Sequence, residues 1–195
     1  MREITDIHQF WFGPLDDRGF AAPDRHPLWF SANPHTDADV AVRFGTLVDR
    51  AVAGELDHWA ASDNGVIALV LLLDQFTRNI HRGTPRAFSG DARALDIARR
   101  VLAGGRHRTL PAIHRVFLYL PLEHSEELAV QENCVALFAE LAAEAGAQEI
   151  GEFARYARAH RDVIARFGRF PHRNAILGRQ STPQELAYLE RHGGF

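Results

Sequence analysis

The chain has 195 residues, 46% hydrophobic and 24% charged, the profile of one globular domain rather than a disordered segment. A formal net charge of -3 supplies no global field for nucleic acid or an acidic membrane. All 22 basic residues are arginine, which excludes a Schiff-base lysine and a Walker-type phosphate loop, and a lone cysteine, Cys134, excludes an intrachain disulfide and a cysteine-based zinc site.

The opening MREITDIHQFWFG places acids and polar residues where a signal peptide needs an apolar stretch. The longest apolar run, Val66 to Leu73, is far short of the ~20 residues that span a bilayer, so a cytoplasmic protein without membrane contact is expected. Thr36 with Asp39 is a capping signal, and Val40, Phe44, Leu47, Val48 and Ala51 form one buried helix face behind it. From Asn64 to Ile80 the chain is apolar all round in its first half, which predicts a central helix covered on every side. Leu95, Ala98, Val101 and Leu102 mark a further helix, stopped by Gly104-Gly105.

Ser125 with Glu126 and Glu127 opens a long helix with the apolar face Leu128, Val135, Phe138 and Leu141. After Ala145-Gly146-Ala147 a second stripe follows in Ile150, Phe153, Ala157, Ile164 and Phe167. So short a break predicts an antiparallel hairpin. Residues 167–181 hold Gly168, Pro171 and Gly178 with no sustained period and read as a long ordered loop. Thr182-Pro183-Gln184-Glu185 is a capping box with proline at the first helical position. No strand alternation and no linker appear, so the expectation is a single all-α domain over 1–195.

Three segments then stand out: LLLDQFTRNIHRGTPRAF at 71–88, FLYLPLEHSEELAVQ at 117–131 and FGRFPHRNAILGRQSTPQE at 167–185. With FWFG at 10–13 they resemble a bacterial family known only as domain of unknown function 924, over nearly the whole chain. The resemblance implies an all-α fold of antiparallel helical hairpins in a tetratricopeptide-like, right-handed array. It implies no activity, substrate or cofactor. The sequence itself shows no 34-residue repeat.

Those segments carry the candidate site. Asp74, Gln75, Arg78, Asn79 and Arg82 are spaced so that Asp74 with Arg78, and Gln75 with Asn79, share a helix side. They form either a satisfied polar network that docks helices or a cleft in which Arg78 and Arg82 hold an anionic group as planar forks. In Glu123-His124-Ser125-Glu126-Glu127 the acids suit a helix start, and Ser125 reads as a cap rather than a nucleophile. Glu123 and His124 precede it and are free to face a cleft. The loop supplies Arg169, His172, Arg173, Asn174 and Arg179 and no acid, so solvent, the acids at 74, 123 and 126, or a bound phosphate or carboxylate must neutralise it.

Other polar residues take plainer readings: Cys134 as a buried inert thiol, His160 as a core histidine on the second stripe, and Phe10, Trp11, Phe12, Trp29, Phe30 and Trp59 mostly as core or anchors. A metal site from Glu123, His124, Glu126 and His160 shows neither His-Glu-x-x-His nor the paired Glu-x-x-His motif of carboxylate-bridged bundles, so neither metal nor cofactor is expected. Two functions remain. One is a small anionic-ligand site where the three segments meet; were it catalytic, His124 or His172 would move the proton and Glu123 or Asp74 would orient the histidine. The other is a helical-hairpin scaffold for a protein partner. Nucleic acid ranks last.

Overall fold

The computed structural model describes residues 2–194 and is all-α: among those residues there is no strand, only an isolated bridge between Leu15 and Ala21. No described helix is long and apolar enough to cross a membrane. The chain forms two compact units, one of residues 2–82 and 86–121, the other of 83–85 and 122–194.

The first unit begins with α1 (Arg2–Trp11) and the short α2 (His26–Phe30), followed by α3 (Pro34–Ala53). The five apolar residues expected on α3 are all buried. Its cap, however, is Asn33 rather than Thr36: the Asn33 side chain accepts from the His35 amide, and Pro34 takes the first helical position, where a missing N–H costs nothing. Trp11, Phe12, Trp29, Phe44, Phe76 and Phe117 pack as a chain of aromatic pairs, and the Trp29 indole donates to the Trp11 carbonyl at 2.9 Å. Phe30 departs from the anchor expectation and is 54% exposed.

The central helix is real but not uniform. It runs as α4 (Asp63–Val70), a π-helical stretch over Leu71–Phe76, and α5 (Thr77–Ile80), with every residue from Gly65 to Thr77 buried. In the widened turn side chains serve the carbonyls: Thr77 Oγ1 donates to Leu73 O at 2.7 Å and Arg78 Nη1 to Asp74 O at 2.6 Å. Gly90, which precedes α6 (Asp91–Ala103), lies so close to this turn that a Cβ would collide with the Leu73 carbonyl.

On α6 the buried face is Ala94, Ile97, Ala98 and Val101, with Leu95 and Leu102 only half-buried. α7 (Ala112–Glu123) carries a continuous buried run from Ile113 to Glu123. Pro121 inside it removes one backbone donor, and the division between units falls immediately after that residue.

In the second unit α8 (Leu128–Ala145) and α9 (Gln148–Phe167) pack as the expected antiparallel hairpin, with Phe138 stacked on Phe153. Gly146 closes α8 in the left-handed region, φ +58°, which an L side chain adopts only with strain. The buried face of α8 is Val130, Gln131, Cys134, Phe138 and Leu141, while Leu128 is 41% exposed and Val135 only half-buried. Ser125 caps a turn instead of the helix. It accepts from the Glu127 amide at 3.2 Å, and Glu127, at the N-cap, makes no side-chain cap bond. The α9 stripe holds, with Phe167 half-buried at its end. After it comes the long loop, with one 3-10 turn at Pro171–Arg173, and then α10 (Pro183–His192), opened by the full reciprocal capping box of Thr182 and Glu185.

Candidate functional site

Each unit gathers its own polar set. In the first, Asp74 is fully buried; its carboxylate accepts from Gln75 Nε2 at 2.5 Å and lies 3.3 Å from Arg78 Nη1. Arg78 also meets Asp91 as a two-bonded fork, Nη1 to Oδ1 at 2.8 Å and Nη2 to Oδ2 at 3.0 Å. Arg82 grips Asp37 with Nε at 2.7 Å and Nη2 at 2.9 Å, and Asn79 donates to the same carboxylate at 2.8 Å. Burial pushes the Asp37 carboxyl upward, but the bonds from Arg82 and Asn79 outweigh it and the net shift is down. The forks foreseen for an outside anion are thus filled by acids brought from α3 and α6.

In the second unit the structure brings the LEHSE and GRFPHRN segments together. Glu126 accepts from Arg179 Nη1 at 2.7 Å on one oxygen, and on the other from Arg179 Nη2 at 2.9 Å and the Phe170 amide at 2.8 Å. Burial raises this carboxyl, and the Arg179 and Phe170 bonds with the charges of Arg179 and Arg173 carry it below its usual range. Arg169 makes the matching fork to Glu185, Nε at 2.7 Å and Nη2 at 2.8 Å, and also donates to Gln180 O. That bond, reinforced by Thr182, holds the Glu185 carboxyl at about 2. Asn174 donates to Ser181 Oγ. The loop ends are pinned together, in the manner of a compact Ω-loop.

Around the fully buried Phe170 ring stand three cation-capable groups. The Arg173 guanidinium lies 4.6 Å from the ring centroid, His172 5.5 Å and His160 5.6 Å. His124 is 6.4 Å from His160, ring to ring. His160 Nδ1 lies 2.9 Å from the Tyr156 carbonyl, which only accepts, so this nitrogen carries the proton and Nε2 holds the lone pair. Buried Glu123 faces the same nitrogen at 3.3 Å. Burial drives the His160 pKa down to about 3, assisted by the charges of His124, His172 and Arg173. Gln131 secures the strand of chain between, its Nε2 donating to the carbonyls of Glu123 and Ser125. Cys134 is buried, and burial first and Glu123 second raise its thiol well above its ordinary value. Among the described residues no three His, Cys, Asp or Glu are placed to hold a metal ion.

Sequence reasoning missed a second histidine pair, in the first unit. His8 Nε2 meets the Asn64 carbonyl at 2.8 Å, and His114 stands edge-on to it with centroids 4.9 Å apart. Burial, then the charge of His8, takes His114 down to about 3. The available signal was His114-Arg115 inside an otherwise apolar run, the same kind of interruption that exposed Asp74.

The model of a bacterial protein family of unknown function, DUF924, matches residues 7–193. A solved structure of a protein of unknown function from Agrobacterium tumefaciens, ATU0120, is 36% identical with a TM-score of 0.80, covering 96% of this chain and 97% of that one. No curated protein matches.

Proposed function

This chain belongs to the bacterial DUF924 family of unknown function, and from that premise we propose that its second unit binds a small oxyanion ligand beside Phe170. The carrying observation is the gathering of His160, His172 and Arg173 around one ring, with His124 beside His160 and buried Glu123 next to it. Arg173 supplies the permanent charge, and the half-buried His124 and His172 supply adjustable donors. Arg169 and Arg179, tied to Glu185 and Glu126, hold the loop in place. In the first unit Asp74, Gln75, Arg78, Asn79 and Arg82 frame the central helix.

The scaffold reading that accompanies this is a tetratricopeptide-like array of hairpins, supported by the α8–α9 pair; the handedness of successive hairpins in an experimental structure decides it.

The ligand site is tested on the wild-type protein by following histidine imidazole NMR signals during titration with inorganic phosphate and with citrate. Saturable shifts of the His124 and His172 signals are expected, absent in a folded Arg173→Ala protein. Ligand at about 100 times its Kd should add ~2.7 kcal/mol to stability. Signals that stay fixed up to roughly 0.1 M anion, where the Debye length is ~10 Å, would end the proposal.

A further inference from the structure

The seat occupied by Glu126 has the composition of an oxyanion site. A carboxylate lies in the fork of Arg179, takes a backbone N–H from Phe170, and feels the charge of Arg173. Both partners of the ion pair are only partly covered, Arg179 at 24% and Glu126 at 28% side-chain exposure, so the seat is within reach of solvent. It also holds more donors than a carboxylate has oxygens: Arg179 Nη1, Arg179 Nη2 and the Phe170 amide converge on Glu126, two of them on the same oxygen. A carboxylate offers two oxygens; a phosphate offers a third.

We propose that Glu126 is a built-in anion, and that the ligand of the second unit is a phosphate-bearing molecule that displaces it from Arg179 and the Phe170 amide. This rests on the oxyanion reading of the Phe170 cluster, which it deepens by naming the chemical class and the group that competes for the seat. Arg173 connects the two, because its charge acts on His160 as well as on Glu126.

Magnitude favours phosphate over carboxylate. A tethered side chain acts at an effective concentration of roughly millimolar or above. An outside monocarboxylate offers the same charge and the same two oxygens, so it gains nothing to offset that advantage. A phosphate dianion brings a second charge, within the field of Arg173, and a third oxygen, so that the Phe170 amide and Arg179 Nη2 need not share one. The freed Glu126 then turns to solvent.

The test compares wild type, Glu126→Ala and Glu126→Gln, each titrated with inorganic phosphate and with acetate by calorimetry and thermal unfolding. The glutamine variant keeps an acceptor for the Phe170 amide and guards against loss of folding in the alanine variant. Wild type should bind phosphate and ignore acetate. Removing the internal carboxylate should tighten phosphate at least tenfold, admit acetate, and lose both gains on adding Arg179→Ala. No gain in either Glu126 variant, or a gain that survives Arg179→Ala, overturns the displacement. The two readings fail separately: wild-type His124 and His172 signals that respond to phosphate while Glu126 variants gain nothing sink only the displacement. Silent histidines with a gain in the variants sink only the Phe170 cluster.

Discussion

The two units use the same residue types to opposite ends. On the central helix of the first, Arg78 and Arg82 are answered by Asp91 and Asp37, acids rooted in α6 and α3. All four lie on or beside regular helix, and Asp74 beneath them is sealed from solvent. In the second unit the cations ride on a loop; two of its arginines are answered by carboxylates, and around Phe170 imidazoles take over from acids. An arginine next to a helix is therefore no more a ligand group than one on a loop.

The sharpest way to break this contrast is to remove one guanidinium from each set. Arg78→Ala takes the partner from a fully buried carboxylate and should cost about 3 kcal/mol, because an ion left in the interior without its counter-charge is penalised heavily. Arg179→Ala acts on a pair with about a quarter of each side chain exposed and should cost about 1 kcal/mol. Urea unfolding of both proteins measures the difference. Equal costs would make the loop set as structural as the helical one.

How much of this was legible in sequence follows from range. The capping box at Thr182, the α8–α9 hairpin and the α3 face depend on residues within a turn or two, and all three are found as read. The Asn33 cap lay three residues before the signal chosen, since Thr36 and Asp39 mimic a cap once the helix has already begun. α7 was not read because a helix buried all round has no polar face to give it a period. In the candidate site the residue types and segments were readable. The partners were not: Asp37, Asp91 and Glu185 reach their arginines across 45, 13 and 16 positions, and no local rule links them. His160 was placed in the core correctly, but its company of His124, His172 and Arg173 is a product of the fold.

A second contrast concerns protons. His114 in the first unit and His160 in the second are both held neutral, each down at about 3. The unfolded chain binds their protons near the ordinary value of 6.5, so between pH 6.5 and about 3 it holds more protons than the fold. Stability must therefore fall as pH drops through that window. At pH 5 each histidine should contribute a loss of about 2 kcal/mol relative to pH 7. Glu126, lowered in the fold, adds a loss of the same sign only below its unfolded value of 4.5. Unfolding midpoints from pH 7 to 5 for wild type, His114→Gln and His160→Gln isolate the two shares. A variant that keeps the full wild-type slope would show that its histidine is not the buried neutral base described.

The smallest expected effect tests how the loop is tied down. Glu185 serves two structures at once: it returns a bond to the Thr182 amide as half of the α10 capping box, and it fills the fork of Arg169. Thr182→Ala removes the hydroxyl that receives the Glu185 amide and should cost about 1 kcal/mol, the ordinary price of an N-cap. Arg169→Ala frees the Glu185 carboxylate to turn fully to the cap. Its partner is shared, so the two losses should not add, and a coupling of about 0.5 kcal/mol is expected in the double-mutant cycle read by urea unfolding. Additivity within 0.3 kcal/mol at Thr182 and Arg169 would mean the loop and α10 are held independently, on the criterion for uncoupled sites of about that size. Coupling would make Glu185 the point at which helix formation fixes the loop that carries Arg173.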